Sequence, residues 1–436
     1  MERWGPLVPA VAGIWPKVPE RVADEELSDL EDDVLDGLRA YEQACRDDGG
    51  TPEDFDAVEA AARRVESALR ARPPLGAWLN EEFDRLADGR ERFGPAAAPA
   101  YWTEFRRALL VPVMYATDRA REDAPKRDGI RYGARRGELS QGRATVSVPD
   151  DRPVGAVTKP RWWRLQFRPD PERDLVVGPP EPLDADTFAA QVREQLDQGT
   201  DREALVFVHG YNVGFPAAVR QAAQIAYDLN FTGVVALYSW ASKGAVHDYV
   251  ADGAAAARAV PHFQDFLRAL LTRTGVRRTH VVAHSMGNRV LTAGLAGLDT
   301  TALPAGSGRL GHVVFAAPDV DSDVFRQRLP AASSQAETCT LYVSDRDRAL
   351  AAARGLADFP RAGQAGRSVI VAPGLDTVDV TALGADLLGH SYVGHHTSVL
   401  ADLHGLIRHG HRPAQRYGLT RVPHTAGDHW AFQPQK

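Results

Sequence analysis

Chemistry in this sequence centres on a serine between a strand-like and a helix-like run, in the segment 280–289 (HVVAHSMGNR). A serine on such a sharp turn exposes its hydroxyl above a sheet, and small residues two positions before and after it avoid clashes with neighbouring backbone. Ala283 and Gly287 occupy those two positions. The spacing predicts Ser285 as a nucleophile and the Met286 N–H as a donor to the oxyanion of an acyl-transfer reaction.

In a second segment, 204–212 (ALVFVHGYN), an apolar run is followed directly by His-Gly. Glycine at this point lets the backbone turn inward towards a nucleophile on a neighbouring strand, so we assign the second oxyanion donor to the Tyr211 N–H. We interpret His209 as a residue that shapes this loop by hydrogen bonding, with direct proton transfer as the alternative. The candidate pocket residues are His209, Asn212, Trp240 and Tyr392, and core packing is the alternative for Trp240 and Tyr392.

Two aspartates follow the apolar run 340–343 and are candidates for the acid of a triad. Catalytic groups gather at the carboxyl ends of strands in open α/β sheets, and both Asp345 and Asp347 fall there. We prefer Asp347, because it opens the following helical stretch and can reach out of the sheet. Asp319 and Asp321, after the preceding apolar run, are a third option, with loop capping as their structural alternative.

The base of a triad in the chain order Ser, acid, His must lie downstream of these aspartates. His390 fits, because glycine precedes it and an apolar helical stretch, 399–407, follows; His395 and His396 are its rivals. Together with His404, these histidines could also suggest metal ligands. No His-Glu-x-x-His string, cysteine pair or helical i, i+4 histidine pair accompanies them, so the sequence predicts no metal site.

A sheet must position these residues, and strand-like and helix-like runs alternate from residue 111 onwards. Buried runs that alternate with helices predict an α/β fold with a mostly parallel sheet and helices on both faces. The predicted strands are 111–116, 143–148, 161–167, 204–208, 234–238, 280–283, 312–316, 340–343 and 368–371. The predicted helices between them are 217–229, 251–271, 286–298 and 348–357.

The two ends of the chain differ from this central part. Residues 1–100 carry 23 acidic and 12 basic side chains, whereas the remainder carries 35 acidic and 39 basic ones. Apolar residues recur at spacings of three and four over 23–110, which predicts an acidic helical segment, 1–110, before the α/β domain, 111–409. A solvated helical bundle is one interpretation of that segment, and a docking module for a protein partner is the other. Residues 410–436 lack a period and are predicted to be a tail or a loosely packed extension.

The composition excludes several classes of protein. The chain has 436 residues, a net charge of −7 and two cysteines. No apolar run reaches the ~18–20 residues of a membrane helix, no phosphate-binding glycine loop is present, and an acidic chain is a poor match for nucleic acid. Two cysteines make no disulfide framework and the N-terminus has no signal pattern, so we expect a cytoplasmic protein.

Eight short strings, taken in order, resemble a known family. They are MYATDR (114–119), YGARRG (132–137), HGYN (209–212), YSWAS (238–242), AHSMGNR (283–289), APDVD (317–321), DRAL (347–350) and GHSY (389–392). As a set they resemble the bacterial α/β hydrolases grouped as domain of unknown function nine hundred, within the esterase/lipase superfamily. The resemblance covers about 111–409 and implies the α/β-hydrolase fold, with Ser285 as nucleophile, Asp347 as acid and His390 as base. The family pattern has Trp-Pro-Ser where this chain has Trp240-Ala241-Ser242.

The residues and the resemblance together predict a serine hydrolase that acts on a small-molecule ester or acyl substrate and needs no cofactor. Carboxylic esters are the first expectation. Amide, peptide or acyltransferase chemistry on the same site stays open, and so does a non-catalytic scaffold whose acidic helical segment recruits a partner. The presence of Ser, Asp and His favours the enzyme, because a degenerate site usually loses one of them.

Overall fold

The computed structural model of the chain describes eight ranges of residues. These ranges are 103–105, 108–123, 130–149, 175–199, 201–243, 249–347, 359–383 and 397–433. The strands in them form one sheet. In chain order the strands are β1 (Thr103–Phe105), β2 (Ala108–Asp123), β3 (Ile130–Pro149), β4 (Val176–Val177), β5 (Glu181–Leu183), β6 (Glu203–Val208), β7 (Val234–Ser239), β8 (Arg278–His284), β9 (Arg309–Ala316), β10 (Ala336–Val343), β11 (Leu375–Asp379), β12 (Leu419–His424) and β13 (Gly427–Phe432).

The centre of the sheet is parallel. Its spatial order is β12-β13-β11-β10-β9-β8-β6-β7-β2-β3-β4, and every pair from β13 to β2 runs in the same direction. Antiparallel partners close both edges, with β3 against β2 and β12 against β13. The chain goes from β6 to its neighbour β7 and then crosses back to β8 on the other side of β6. Ligands bind in open α/β sheets at such a reversal, outside the carboxyl ends of the strands.

Helices cover both faces of this sheet. The helices are α1 (Ala185–Gln198), α2 (Phe215–Asp228), α3 (Tyr249–Arg273), α4 (Gly287–Ala296), α5 (Ser322–Gln335) and α6 (Thr397–His409). One hydrophobic cluster packs α1, α3, α4 and α5 against the sheet, and a second cluster packs α2 and α6 against the opposite face. Because β6 and β7 are buried along their whole length, they need apolar residues on both sides, which explains their unbroken apolar runs.

Local sequence determines where several helices begin. Asp184 precedes α1, and its Oδ1 accepts the backbone N–H groups of Asp186 and Thr187 at 3.0 and 2.9 Å. A proline stands in the first turn of α2, where its missing N–H costs no helical hydrogen bond. In the described ranges, no helix combines the length and the apolar character that crossing a membrane requires.

The predicted mostly parallel sheet with helices on both faces is confirmed, whereas several local predictions are wrong or incomplete. The run 368–371 is not a strand. Val369 and Ile370 are buried in a connecting segment, and the strand beside β10 is β11, whose Leu375 pairs with Cys339. A buried apolar run of this length gives the same sequence signal in a strand and in a packed connection.

The other differences concern the ends of the domain and the helices α1 and α5. Residues 410–436 include the hairpin of β12 and β13, which extends the sheet and is therefore not a loose tail. In the predicted helical segment 1–110, residues 103–105 and 108–110 belong to strands. No helix was predicted at α1 or at α5. The rest of 1–110 and the predicted elements 161–167 and 348–357 lie outside the described residues.

Candidate active site

Ser285 lies on the turn between β8 and α4, and its backbone is strained. It has φ +52°, a left-handed conformation that non-glycine residues seldom adopt, and only 2% of its surface is exposed. Backbone hydrogen bonds hold this turn, since the Ser285 N–H donates to the carbonyl of Ala316 and the Asp319 N–H donates to the carbonyl of Ser285, at 3.0 and 3.2 Å. Strain of this kind persists only where surrounding contacts enforce it.

Asn288, in the first turn of α4, supplies a further restraint that was not predicted. It is completely buried, and its Nδ2 lies 3.1 Å from each of three carbonyl oxygens, those of Ala283, Ser285 and Ala316. One amide group therefore ties the strand, the turn and the neighbouring strand together. The string that indicated the nucleophile, AHSMGNR, already contained this residue, but its long-range contact with β9 is not visible in the sequence.

Two glycines bring the serine turn and the His-Gly loop into direct contact. A Cβ atom added to Gly287 would lie 2.4 Å from the carbonyl oxygen of His209, and one added to Gly210 would lie 2.9 Å from the Cβ of Ser285. No real side chain tolerates such distances, so both positions require glycine. The two segments that the sequence analysis singled out thus meet at the carboxyl ends of β6 and β8, with Met286 buried and Tyr211 half-buried beside them.

His209 is fully buried, and both of its ring nitrogens have hydrogen-bonding partners. Its Nδ1 donates to the Gly210 carbonyl at 2.7 Å, and its Nε2 lies 3.2 Å from the hydroxyl of Ser239. Its ring stacks on Trp240, with centroids 5.2 Å apart and planes inclined by 12°, and Trp240 Nε1 donates to the His209 carbonyl at 2.8 Å. Burial, and then the nearby charge of Arg119, lower the pKa of His209 to about 3. Its imidazole is therefore neutral near pH 7.

The pocket residues predicted beside His209 differ in their surroundings. Trp240 has no exposed surface and belongs to the hydrophobic cluster, and its indole also stacks on His209 and donates to the His209 carbonyl. Asn212 is partly buried with φ +58°, a conformation in which asparagine is more often found than most residues. Tyr211 packs edge-on against Tyr249, with ring centroids 5.8 Å apart. Tyr392 lies outside the described residues.

A buried arginine behind this loop was not predicted. Arg119 is 2% exposed and donates to the carbonyls of Gly133, Ser242 and Val213 at 3.1, 2.9 and 2.6 Å. It also contacts the side chains of Ser239 and His209. Burial lowers the pKa of Arg119 to about 10, which still leaves it charged near pH 7. The sequence feature that points to Arg119 is its place as a charged residue after an apolar run, at the end of the string MYATDR.

The two aspartates after β10 have different environments. Asp347 is 6% exposed, whereas Asp345 is exposed and its N–H donates to the Thr381 hydroxyl at 3.0 Å. Both follow the carboxyl end of the strand, as the sequence predicted. The difference in burial distinguishes them, because a carboxylate that orients an imidazole must be near it and shielded from water.

Asp319 and Asp321, the third option for the acid, have other partners. Asp319 is 2% exposed, and its carboxylate lies 2.9 Å from Arg289 Nη2 and 3.3 Å from Arg361 Nε. It also accepts the Tyr249 hydroxyl at 2.8 Å; burial and Asp319 raise the pKa of Tyr249 to about 12. Asp321 caps α5 by accepting two backbone N–H groups at 2.9 and 3.0 Å, which is the capping role named as its alternative.

The candidate base His390 and its rivals His395 and His396 lie outside the described residues. His404, on α6, is half-buried, and its Nδ1 donates to the Leu229 carbonyl at 2.9 Å. Burial lowers the pKa of His404. Across the ranges that the structure describes, no group of three or more His, Cys, Asp or Glu side chains is arranged to hold a metal ion.

A parallel sheet covered on both faces, with a strained serine on the turn between a central strand and a helix, defines the α/β-hydrolase class. Residues 184–408 match the family described as "Alpha/beta hydrolase of unknown function (DUF900)", and the chain belongs to this family. A comparison with curated proteins found no match. Family membership places the chain among the hydrolases and assigns it no substrate.

Proposed function

We propose that this protein is a serine hydrolase that cleaves carboxylic esters through an acyl-enzyme on Ser285. The observation that carries the proposal is the backbone of Ser285, which has φ +52° on a turn restrained by its hydrogen bonds with Ala316 and Asp319. A fold retains such strain where it serves a purpose. A turn of this shape raises the hydroxyl above the sheet and presents backbone N–H groups beside it.

In the proposed reaction His390 accepts the proton of the Ser285 hydroxyl as the oxygen attacks the ester carbonyl carbon. Asp347 orients the imidazole, and the N–H groups of Tyr211 and Met286 stabilise the oxyanion. The alcohol leaves with the proton that His390 returns, and water then releases the acid by the same steps. The burial of Asp347 supports it over the exposed Asp345 as the partner of the imidazole.

A fluorophosphonate probe tests this proposal on the full-length protein. Mass spectrometry of the wild-type protein should locate one adduct on Ser285, and Ser285→Ala should give none. Ser322→Ala is a matched control, because Ser322 is also buried and its hydroxyl has no hydrogen-bond partner in the described part of the chain. Loss of that hydroxyl should leave labelling unchanged. A folded wild-type protein without an adduct on Ser285 would show that the proposal is wrong.

The choice of ester over amide needs its own measurement. Turnover of p-nitrophenyl butyrate should exceed that of the corresponding p-nitroanilide, and neither should occur in Ser285→Ala. Addition of an alcohol acceptor then separates hydrolysis from acyl transfer, since a hydrolase yields mainly butyric acid. Faster cleavage of the anilide would show that the protein is an amidase and not an esterase. Butyryl transfer to the alcohol as the main product would show that it is an acyltransferase.

A further inference from the structure

Arg119 uses its whole guanidinium group to connect the loop after β6 with the ends of two other strands. An arginine has five N–H groups, and the structure gives Arg119 five contacts. Three are the backbone carbonyls of Gly133, Ser242 and Val213, and the others are the Ser239 hydroxyl, at 2.9 Å from Nε, and His209 Nε2, at 3.4 Å from Nη2. Such a complete set of partners fixes the position of the group.

The contact with His209 determines which of its ring nitrogens carries the proton. Arg119 can only donate, so His209 Nε2 must accept, and a neutral ring then has its proton on Nδ1. Nδ1 faces the Gly210 carbonyl at 2.7 Å, and a carbonyl can only accept. Both neighbours therefore require the same tautomer. Protonation of both nitrogens is opposed by burial and by the adjacent positive charge of Arg119, which lower the pKa of His209 to about 3.

The Gly210 carbonyl belongs to the same peptide unit as the Tyr211 N–H. No cis peptide bond occurs in the described residues, and in a planar trans peptide the carbonyl and the N–H point in opposite directions. Fixing the Gly210 oxygen on His209 therefore also fixes the direction of the Tyr211 N–H. Gly210 itself touches Ser285, so this peptide lies beside the nucleophile.

We infer that Arg119 is the positioning residue of the loop after β6, residues 209–213, which we call the oxyanion loop. Arg119 sets the tautomer of His209. The His209 ring in turn orients the Gly210–Tyr211 peptide and therefore the Tyr211 N–H. The inference rests on the proposed function, because the direction of this N–H matters to catalysis only if it stabilises an oxyanion. Arg119 touches no reacting atom. Its effect passes through the His209 ring and one peptide bond, and is strengthened by its hydrogen bond to the Val213 carbonyl in the same loop.

Arg119→Met removes all five donors at a similar side-chain length. In the folded variant, kcat for p-nitrophenyl butyrate should fall about 10- to 100-fold with KM nearly unchanged, since loss of a whole oxyanion donor costs about 10²–10³. The matched control is Arg416→Met. Arg416 is another buried arginine, and it donates a hydrogen bond of 3.2 Å to the carboxylate of Asp402, which lies on α6. Its loss should lower stability without changing kcat of the folded protein.

Nitrogen NMR of the protein with ¹⁵N-labelled histidine gives a readout that is independent of activity. The wild type should show His209 with a protonated Nδ1 and a bare Nε2. In Arg119→Met the Nε2-protonated tautomer should appear beside it, because Nε2 can then donate to the Ser239 hydroxyl. His209→Asn identifies the signals by their loss. A wild-type Nδ1 that is not protonated, or an Arg119→Met variant that keeps both the tautomer and full kcat, would overturn the inference.

Two substitutions of His209 keep the inference testable if Arg119→Met does not fold. The side-chain amide of His209→Asn can take the place of Nδ1 and donate to the Gly210 carbonyl, whereas His209→Gln can accept from Arg119 but loses the Gly210 contact. Asn should therefore retain more kcat than Gln, and the reverse order would contradict the inference. Failure of the wild type to react with the fluorophosphonate refutes the proposed function instead, whatever tautomer His209 has.

Discussion

Gly287 lies directly against the backbone of His209, so that an added Cβ atom would be 2.4 Å from the His209 carbonyl oxygen and 2.8 Å from that of Val208. The turn that carries Ser285 and the loop after β6 are therefore in contact through main-chain atoms. We predict that Gly287→Ala separates them, lowers the free energy of unfolding by about 1–3 kcal/mol through overpacking, and reduces fluorophosphonate labelling of Ser285. Urea unfolding and the labelling rate measure the two effects.

Gly405→Ala provides the control for this substitution. Gly405 lies inside α6, and an added Cβ atom would meet its nearest atom, Nδ1 of His411, at an ordinary contact distance of 3.4 Å. Alanine in a helix interior is more stable than glycine by about 0.5–1 kcal/mol, so this variant should gain stability and keep its labelling rate. If both alanine variants behaved alike, close backbone contact would not explain the requirement at Gly287.

The burial of Asp347 leads to a prediction about the acid of the proposed triad. Asp347→Asn should lower kcat by on the order of 10⁴-fold, because a neutral amide no longer stabilises the imidazolium or its tautomer. Asp345 is exposed, and Asp345→Asn should leave kcat nearly unchanged and alter stability by no more than about 0.5 kcal/mol, as is usual for a surface position. Steady-state turnover of p-nitrophenyl butyrate compares the two. A large loss in Asp345→Asn alone would move the acid to that position.

Short-range features of the site could be predicted from the sequence, and long-range ones could not. Ser285, Gly287 and the His209–Gly210 pair were found because a sharp turn demands particular residue types at fixed spacing. Arg119 was missed because its partners His209 and Ser239 are 90 and 120 positions away. Its environment exists only after β2, β6 and β7 have assembled.

The fold shows the same division. Its central strands β6, β7 and β8 were predicted because complete burial demands continuous apolar runs. The edge strand β12 was missed, since its residues are exposed or half-exposed and carry little apolar pattern. The run 368–371 was misassigned because burial alone does not tell a strand from a buried connection.

Asn288 offers a test of how the strained turn is held. Asn288→Ala removes the amide that lies near three carbonyl oxygens and should lower the free energy of unfolding by about 1–3 kcal/mol. Asn288→Asp has nearly the same shape but turns a donor into a carboxylate facing those oxygens, so it should be more destabilising than alanine near pH 7. Urea unfolding ranks the variants. An aspartate variant as stable as the wild type would show that the amide donor is not what restrains Ser285.

Glu203 is the first residue of β6, at the end of the strand away from Ser285. Its environment leads to a prediction about how stability depends on pH. Glu203 is 3% exposed, and its carboxylate contacts Arg278 Nε at 2.7 Å and His280 Nε2 at 3.3 Å. Burial alone raises the pKa of Glu203, but the hydrogen bonds and charges of His280 and Arg278 outweigh it and lower the pKa from its ordinary 4.5 to about 2. A depressed carboxyl pKa stabilises the folded state above the unfolded pKa, and this contribution is lost as pH falls from 4.5 towards 2.

Glu203→Gln should therefore be less stable than the wild type near pH 7, by about 1–3 kcal/mol for a lost charged hydrogen bond, and the difference should shrink between about pH 4.5 and pH 2. Glu337→Gln is the control, because Glu337 contacts the same Arg278 at 3.2 Å from a more exposed position, where solvent weakens ion pairs to about 0–1 kcal/mol. Urea unfolding of the three proteins at pH 7, 4 and 3 makes the comparison. Protonation of Glu203 removes its ionic contribution, so the difference in free energy of unfolding between the wild type and Glu203→Gln must shrink as pH falls. A difference that stays constant over this range would mean that Glu203 stabilises the fold through packing and not through its charge.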